Sequence, residues 1–121
     1  MITVYGIPNC DTVKKVLLWF KQKNIAVEFH DYKKMGVTEK KLREWCKLED
    51  WQILLNKKST TWRGLTIAVQ EKISSEAEAI QLMLANTSII KRPVIEFDGK
   101  IIVGFDEKTY QQKFKHKKYE T

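Results

Sequence analysis

The 121-residue chain contains only two cysteines, two prolines and five glycines. Two thiols, Cys10 and Cys46, cannot build a disulfide framework, so a reducing, cytoplasmic setting is expected. No apolar run approaches the roughly 18–20 residues that a membrane-spanning helix needs. No basic segment followed by an apolar stretch opens the chain, so neither a secretory leader nor a membrane partner is expected. There is no C-x-x-C, because the residue three after Cys10 is Val13. Cys10, Cys46, His30 and His116 lack the short spacings of zinc ligands, so no metal is expected. Neither a glycine-rich phosphate loop nor a dinucleotide fingerprint occurs, so no bound cofactor is expected. The composition, 43% apolar and 31% charged, is that of a globular domain and excludes disorder, collagen and coiled coil for the whole chain.

What is present is positive charge and clear periodicity. The formal charge is +7, from 22 Lys+Arg against 15 Asp+Glu. Lys113, Lys115, Lys117 and Lys118 form the densest cluster, which reads as a solvated tail or as a surface for an anionic partner. The basic residues are not interleaved with aromatics, so nucleic acid is not an expected partner.

Ile2–Tyr5 reads as a strand, and Gly6–Asn9 as a turn. Val13, Val16, Leu17 and Phe20 are spaced as one buried face of a helix from Asp11 to about Lys23, ended by Asn24. Residues 26–31 read as a second strand, giving a βαβ unit with parallel strands. Thr38 can cap a helix carrying Leu42, Trp45, Cys46 and Glu49 on one stripe. Trp51–Leu55 reads as a short helix, and Asn56–Gly64 as a polar loop with one tryptophan. Ser75 and Glu78 form a capping-box pattern before a helix that ends near Asn86. Val94–Phe97, Asp98-Gly99 and Lys100–Val103 predict a hairpin with a type I′ turn. Asp106 can cap a last helix that turns Tyr110 and Phe114 inward. The order βαβ…ββα predicts an α/β, thioredoxin-like four-stranded mixed sheet. Residues 1–121 form one domain in this reading, with roughly 36–88 as a helical insertion between strands 2 and 3.

Cys10 falls at the junction of the first turn and the first helix. Opening amides of a helix have no intrahelical acceptor, and the helix dipole adds partial positive charge there. A thiolate is stabilised by both, and the same amides bind oxyanions. Cys10 is therefore read as reactive; the alternative is a small buried hydrophobe. Lys14 and Lys15, in the first turn, either attract an anion or face solvent. Cys46, on the Leu42/Trp45 stripe, reads as core; the alternative is a resolving thiol for Cys10. His30 lies at the end of the second strand, away from the Cys10 turn.

The segment Tyr5-Gly6-Ile7-Pro8-Asn9-Cys10-Asp11-Thr12-Val13-Lys14-Lys15 resembles the opening of the arsenate reductase (ArsC)/Spx family, and the YffB branch within it. Phe29–Lys33, Leu55-Asn56 with Thr60–Arg63, Ile90–Val94 and Val103-Gly104-Phe105 resemble the same branch in the same order. The resemblance implies a thioredoxin-like fold with a helical insertion, Cys10 as the functional cysteine, and a cis proline, Pro93, facing it. It also implies that Arg92 stands near Cys10, where a planar fork suits a carboxylate or oxyanion. Arsenate reductases carry an arginine in the loop where this chain has Lys57 and Lys58, and another just after the hairpin, where Val103–Asp106 has no cation. The YffB branch is associated with glutathione-dependent thiol reduction.

The resemblance therefore implies a monothiol, glutathione-dependent thiol–disulfide oxidoreductase with Cys10 as nucleophile. Asp11, Thr12, Lys14, Lys57, Lys58, Arg63, Arg92 and Pro93 would hold glutathione or the substrate. Glutathione is a co-substrate rather than a bound cofactor, and glutaredoxin or another protein is a further expected partner. The alternatives are an arsenate reductase and an Spx-like regulator that binds a protein partner.

Overall fold

A computed structural model describes residues 1–115. Lys117 and Lys118 of the basic tail, and His116, lie outside the described residues. In chain order the elements begin with β1 (Ile2–Gly6), α1 (Asp11–Gln22), β2 (Val27–Asp31) and the one-turn α2 (Tyr32–Met35). Next come α3 (Glu39–Leu48), α4 (Trp51–Leu54), α5 (Thr60–Arg63), α6 (Ile67–Lys72) and α7 (Glu76–Ala85). A 3₁₀ turn (Thr87–Ile89), β3 (Val94–Phe97), β4 (Lys100–Val103) and α8 (Glu107–Phe114) follow. The chain divides into two compact units, Met1–Lys34 with Arg92 onward, and Met35–Lys91.

The first unit holds the sheet. Its strand order is β2-β1-β3-β4, with β1 and β2 parallel and the other pairs antiparallel. This is the thioredoxin-like mixed sheet, with helices inserted between β2 and β3. Alternation places Ile2, Val4, Ile95 and Phe97 in one core with Val16, Trp19 and Phe20 of α1 and Tyr110 and Phe114 of α8. The apolar face of α1 is wider than the predicted stripe. Trp19 is buried and Leu17 only partly so, because Trp19 meets Tyr110 edge-on with ring centres 5.5 Å apart. A helix flanked by a sheet and by a second helix buries more than one stripe.

The hairpin between β3 and β4 follows its sequence signal. Asp98 and Gly99 both have positive φ, 48° and 71°, as a type I′ turn requires. Beyond β4, Gly104 (φ 85°) donates its amide to the Pro93 carbonyl at 2.8 Å. Its own carbonyl accepts from the Tyr110 hydroxyl at 2.6 Å. A core aromatic thus fixes the backbone that braces Pro93.

The second unit is helical. Thr38 caps α3, accepting from the Lys41 amide at 3.1 Å. α7 packs on α3, on α4 and on the 3₁₀ turn. Leu55 bridges Ile90, and the Lys91 amide donates to the Leu54 carbonyl at 2.8 Å. The Ser75/Glu78 box forms with a shift of one residue. Glu78 accepts from the Ser74 amide, while its own amide donates to Ser75 Oγ.

Two expectations are corrected in this unit, and one helix, α6, is added. The polar loop over 56–64 contains α5, because Ser59 accepts from the Trp62 amide and nucleates a turn around that buried tryptophan. α6 gave no periodic signal because none of its residues is buried; Ile67 and Val69 are exposed. Cys46 is half-buried rather than core, at the edge of the Leu42/Trp45 stripe. No helix among the described residues is long and apolar enough to cross a membrane.

Candidate active site

β1 ends at Gly6, and the chain turns through Ile7–Asn9 before α1 begins. Cys10 is the N-cap of α1, in extended conformation (φ −138°, ψ 123°), with its carbonyl accepting from the Lys14 amide at 2.9 Å. No side chain caps this terminus. Elsewhere Thr38, Asp50, Ser59, Thr66, Ser75 and Asp106 each accept a bond from an opening amide of the helix they precede. At α1 a sulfur stands where those oxygens stand. The opening N–H groups are therefore left to a thiolate or an exogenous anion. Cys10 is half-buried, and Thr12 likewise; Asp11 and Lys14 are exposed. The Asp11 carboxylate complements the helix dipole and opposes a nearby anion, so its contribution to such a site is its backbone amide.

Arg92 reaches the same end of β1 through close packing. A methyl group built on Gly6 would lie 2.7 Å from Val13 Cγ2 and 3.7 Å from Arg92 Cβ. Only glycine leaves room for Val13 of the first turn of α1 to lie so close to the end of β1, while Arg92 Cβ stands there at an ordinary contact distance. The Arg92–Pro93 peptide bond is cis, as the resemblance implied. Pro93 is buried and Arg92 half-buried.

An aromatic and polar cluster lies beside Arg92, and the sequence reading had not assembled it. Tyr5 donates to Glu96 Oε1 at 3.0 Å, and its ring centre is 4.6 Å from that of His30 and 6.3 Å from that of Tyr32. Burial, and secondarily Tyr5, push the Tyr32 hydroxyl well above the usual phenol range, while the Arg92 charge pulls it back. Strand alternation places Tyr5 and His30 side by side on the face opposite the core, since Tyr5 pairs with His30 across the parallel ladder. That register was the signal available in the sequence. Tyr32 had none, because it lies in a one-turn helix.

Lys57, Lys58 and Arg63 belong to the helical unit, and all are exposed. Lys57 Nζ sits 5.6 Å from the centre of the Trp62 ring, and the Lys58 amide donates to Asn56 Oδ1 at 3.1 Å. The Asn56 turn and α5 thus gather these cations on one segment. The two thiols are free and differ in setting. Burial, with Glu76 and Asp50 adding to it, pushes the Cys46 thiol up to about 11, which holds it protonated and unreactive near neutrality. Among the described residues no group of three or more His, Cys, Asp or Glu side chains could hold a metal ion.

Comparison with known proteins agrees with this geometry. The ArsC family model matches residues 5–113. A solved structure of a YffB protein superposes with a TM-score of 0.87 at 45% identity, covering 93% of this chain and 97% of that one. An arsenate reductase (ArsC) related protein from Brucella melitensis, also 45% identical, gives a TM-score of 0.76 with 94% of each chain covered. The global transcriptional regulator Spx of Streptococcus agalactiae is 24% identical over 109 residues, 88% of this chain and 78% of the regulator. With nearly its whole length matched, the chain belongs to the ArsC family, a thiol-oxidoreductase-like group.

Proposed function

We propose that the protein is a monothiol, glutathione-dependent thiol–disulfide oxidoreductase of a reducing cytoplasm. The observation that carries the reading is Cys10 at an N-cap whose opening amides no side chain satisfies, with Arg92 brought to the same strand end. The Cys10 thiolate attacks one sulfur of a disulfide substrate, forming a mixed disulfide and releasing the other sulfur as thiolate. A glutathione thiolate then attacks the mixed disulfide, leaving with the substrate half as a new disulfide and regenerating Cys10. No second cysteine follows Cys10 in a C-x-x-C, so an external thiol completes the cycle. The Arg92 fork pairs with a glutathione carboxylate, and the amides of Asp11 and Thr12 face the substrate sulfur or its anionic group. Pro93 shapes the wall. Lys14 supplies positive potential toward anionic substrates. Glutaredoxin or another thiol protein can serve as electron donor.

The test is turnover of a small mixed disulfide with glutathione, coupled to nicotinamide oxidation by glutathione reductase. Cys10→Ser is expected to abolish turnover, and Arg92→Ala to raise the KM for glutathione by about ten-fold through loss of a charge-assisted pair. Unchanged turnover in Cys10→Ser would overturn the reading. Relatives named as arsenate reductase-related and as a regulator favour two further readings. Arsenate-dependent turnover would select the first, although Lys57 and Lys58 offer point charges in place of a bidentate fork. An inert Cys10 with a captured protein partner would select the second.

A further inference from the structure

The last turns of α1 and α8 and the segment leading into β2 enclose a cavity of about 220 Å³. Its floor is Trp19, Ile25 and Phe114, all buried; its rim is Lys23, Gln111 and Lys115, all exposed. Lys23 Nζ lies 5.8 Å from the centre of the Trp19 ring. Among the described residues no acidic side chain lines the cavity. α1 has 12 residues, so at about 1.5 Å per residue its two ends lie roughly 18 Å apart. This cavity is therefore separate from the Cys10 turn.

We propose that the cavity is a socket for one aromatic side chain of an acidic peptide segment on a protein partner. Its volume is below the roughly 300–1,000 Å³ of small-molecule sites and suits a single large side chain. The accessible part of the Trp19 indole on the floor offers a contact to an incoming ring. Two ammonium groups and one amide at the rim donate hydrogen bonds, so carboxylates flanking the anchor find partners. The charge of the whole chain, +7, favours the same partner. Lysines at the ends of α1 and α8 also complement the helix dipoles, which accounts for their sign. That does not account for the apolar-floored cavity between them. A buried aromatic anchor within a polar rim is the usual anatomy of an interface hot spot.

The test uses the full chain, isotope-labelled, titrated with two short acidic peptides that differ only in a central Phe or Ala. The Trp19 indole N–H and Gln111 side-chain resonances are expected to shift. The Phe peptide should bind about ten-fold more tightly than the Ala peptide. The exposed double variant Lys23→Glu/Lys115→Glu should lose that binding by about ten-fold or more, with Cys10 alkylation unchanged. Equal binding of the two peptides would overturn the proposal. Phenylacetate binding as tightly as the Phe peptide would also overturn it, making the cavity a small-molecule site. Binding that emerges only in Tyr119→Ala would assign the socket to the chain's own end, with the same consequence.

Discussion

A serine at position 10 would accept from the opening amides of α1, as Ser59 and Ser75 do for α5 and α7; the cysteine there does not. The helix thus starts without a capping bond where the thiol chemistry is proposed. Cys10→Ser is therefore expected to raise stability by about 0.5–1 kcal/mol, because serine is among the preferred N-caps, while activity is lost. Denaturant melts check this, and a variant no more stable than the parent would contradict it. Gly6→Ala acts in the opposite sense. Its methyl group meets Val13 Cγ2 at 2.7 Å, so the first turn of α1 must shift, at a cost of about 1–3 kcal/mol. Adding Val13→Ala should restore much of that loss, measured as recovery of the denaturation midpoint. The place of Cys10 at a helix start was legible from its local pattern, and the cis Arg92–Pro93 bond from the family resemblance. The Tyr5–Tyr32–Glu96 cluster was not, because three separate segments must fold before those side chains meet.

At the scale of elements, legibility followed the hydrophobic face. β1, α1, α3, α7 and the β3–β4 hairpin each carry a clear apolar pattern with buried positions, and each formed where the pattern placed it. α2, α5 and α6 have one or two turns and too few apolar positions to establish a period. Only the cap residues Ser59 and Thr66 marked α5 and α6, and polar loops are rich in such residues. α8 does more than cover the core, since the Tyr110 hydroxyl holds the Gly104 carbonyl, whose residue in turn braces Pro93. Tyr110→Phe removes that bond alone and leaves a half-buried carbonyl without its donor. A loss of about 1–2 kcal/mol is expected. A slower Cys10 reaction should accompany it if the brace orients the Arg92–Pro93 turn. An unchanged midpoint and rate would show that the brace is dispensable.

For the molecule as a whole, two buried phenols make alkaline pH its weak side. Burial raises both Tyr32 and Tyr110 above the ordinary phenol value of 10.0. The native state keeps protons that the unfolded chain gives up. Their contribution is therefore complete below pH 10.0 and is lost as pH rises beyond it. Each contributes a slope of about 1.4 kcal/mol per pH unit in that window. Tyr110→Phe should remove about half of the tyrosine part of the slope, as read from melts across the window. A slope equal to the parent's would contradict this. The thioredoxin-like sheet was legible from element order alone, because parallel βαβ and antiparallel ββα halves combine in few ways.

The central claim is that Cys10 is an activated thiol facing an anion site. It is tested by alkylating the intact protein with iodoacetamide near neutral pH and following each cysteine by peptide mass. The predicted result is that Cys10 reacts about ten-fold or more faster than Cys46 and faster than free glutathione. S-methylglutathione, which has no nucleophilic thiol, should slow the reaction at Cys10 and leave Cys46 unaffected. A Cys10 rate no greater than that of free glutathione, unchanged by S-methylglutathione, would contradict the claim and leave the protein a partner-binding module.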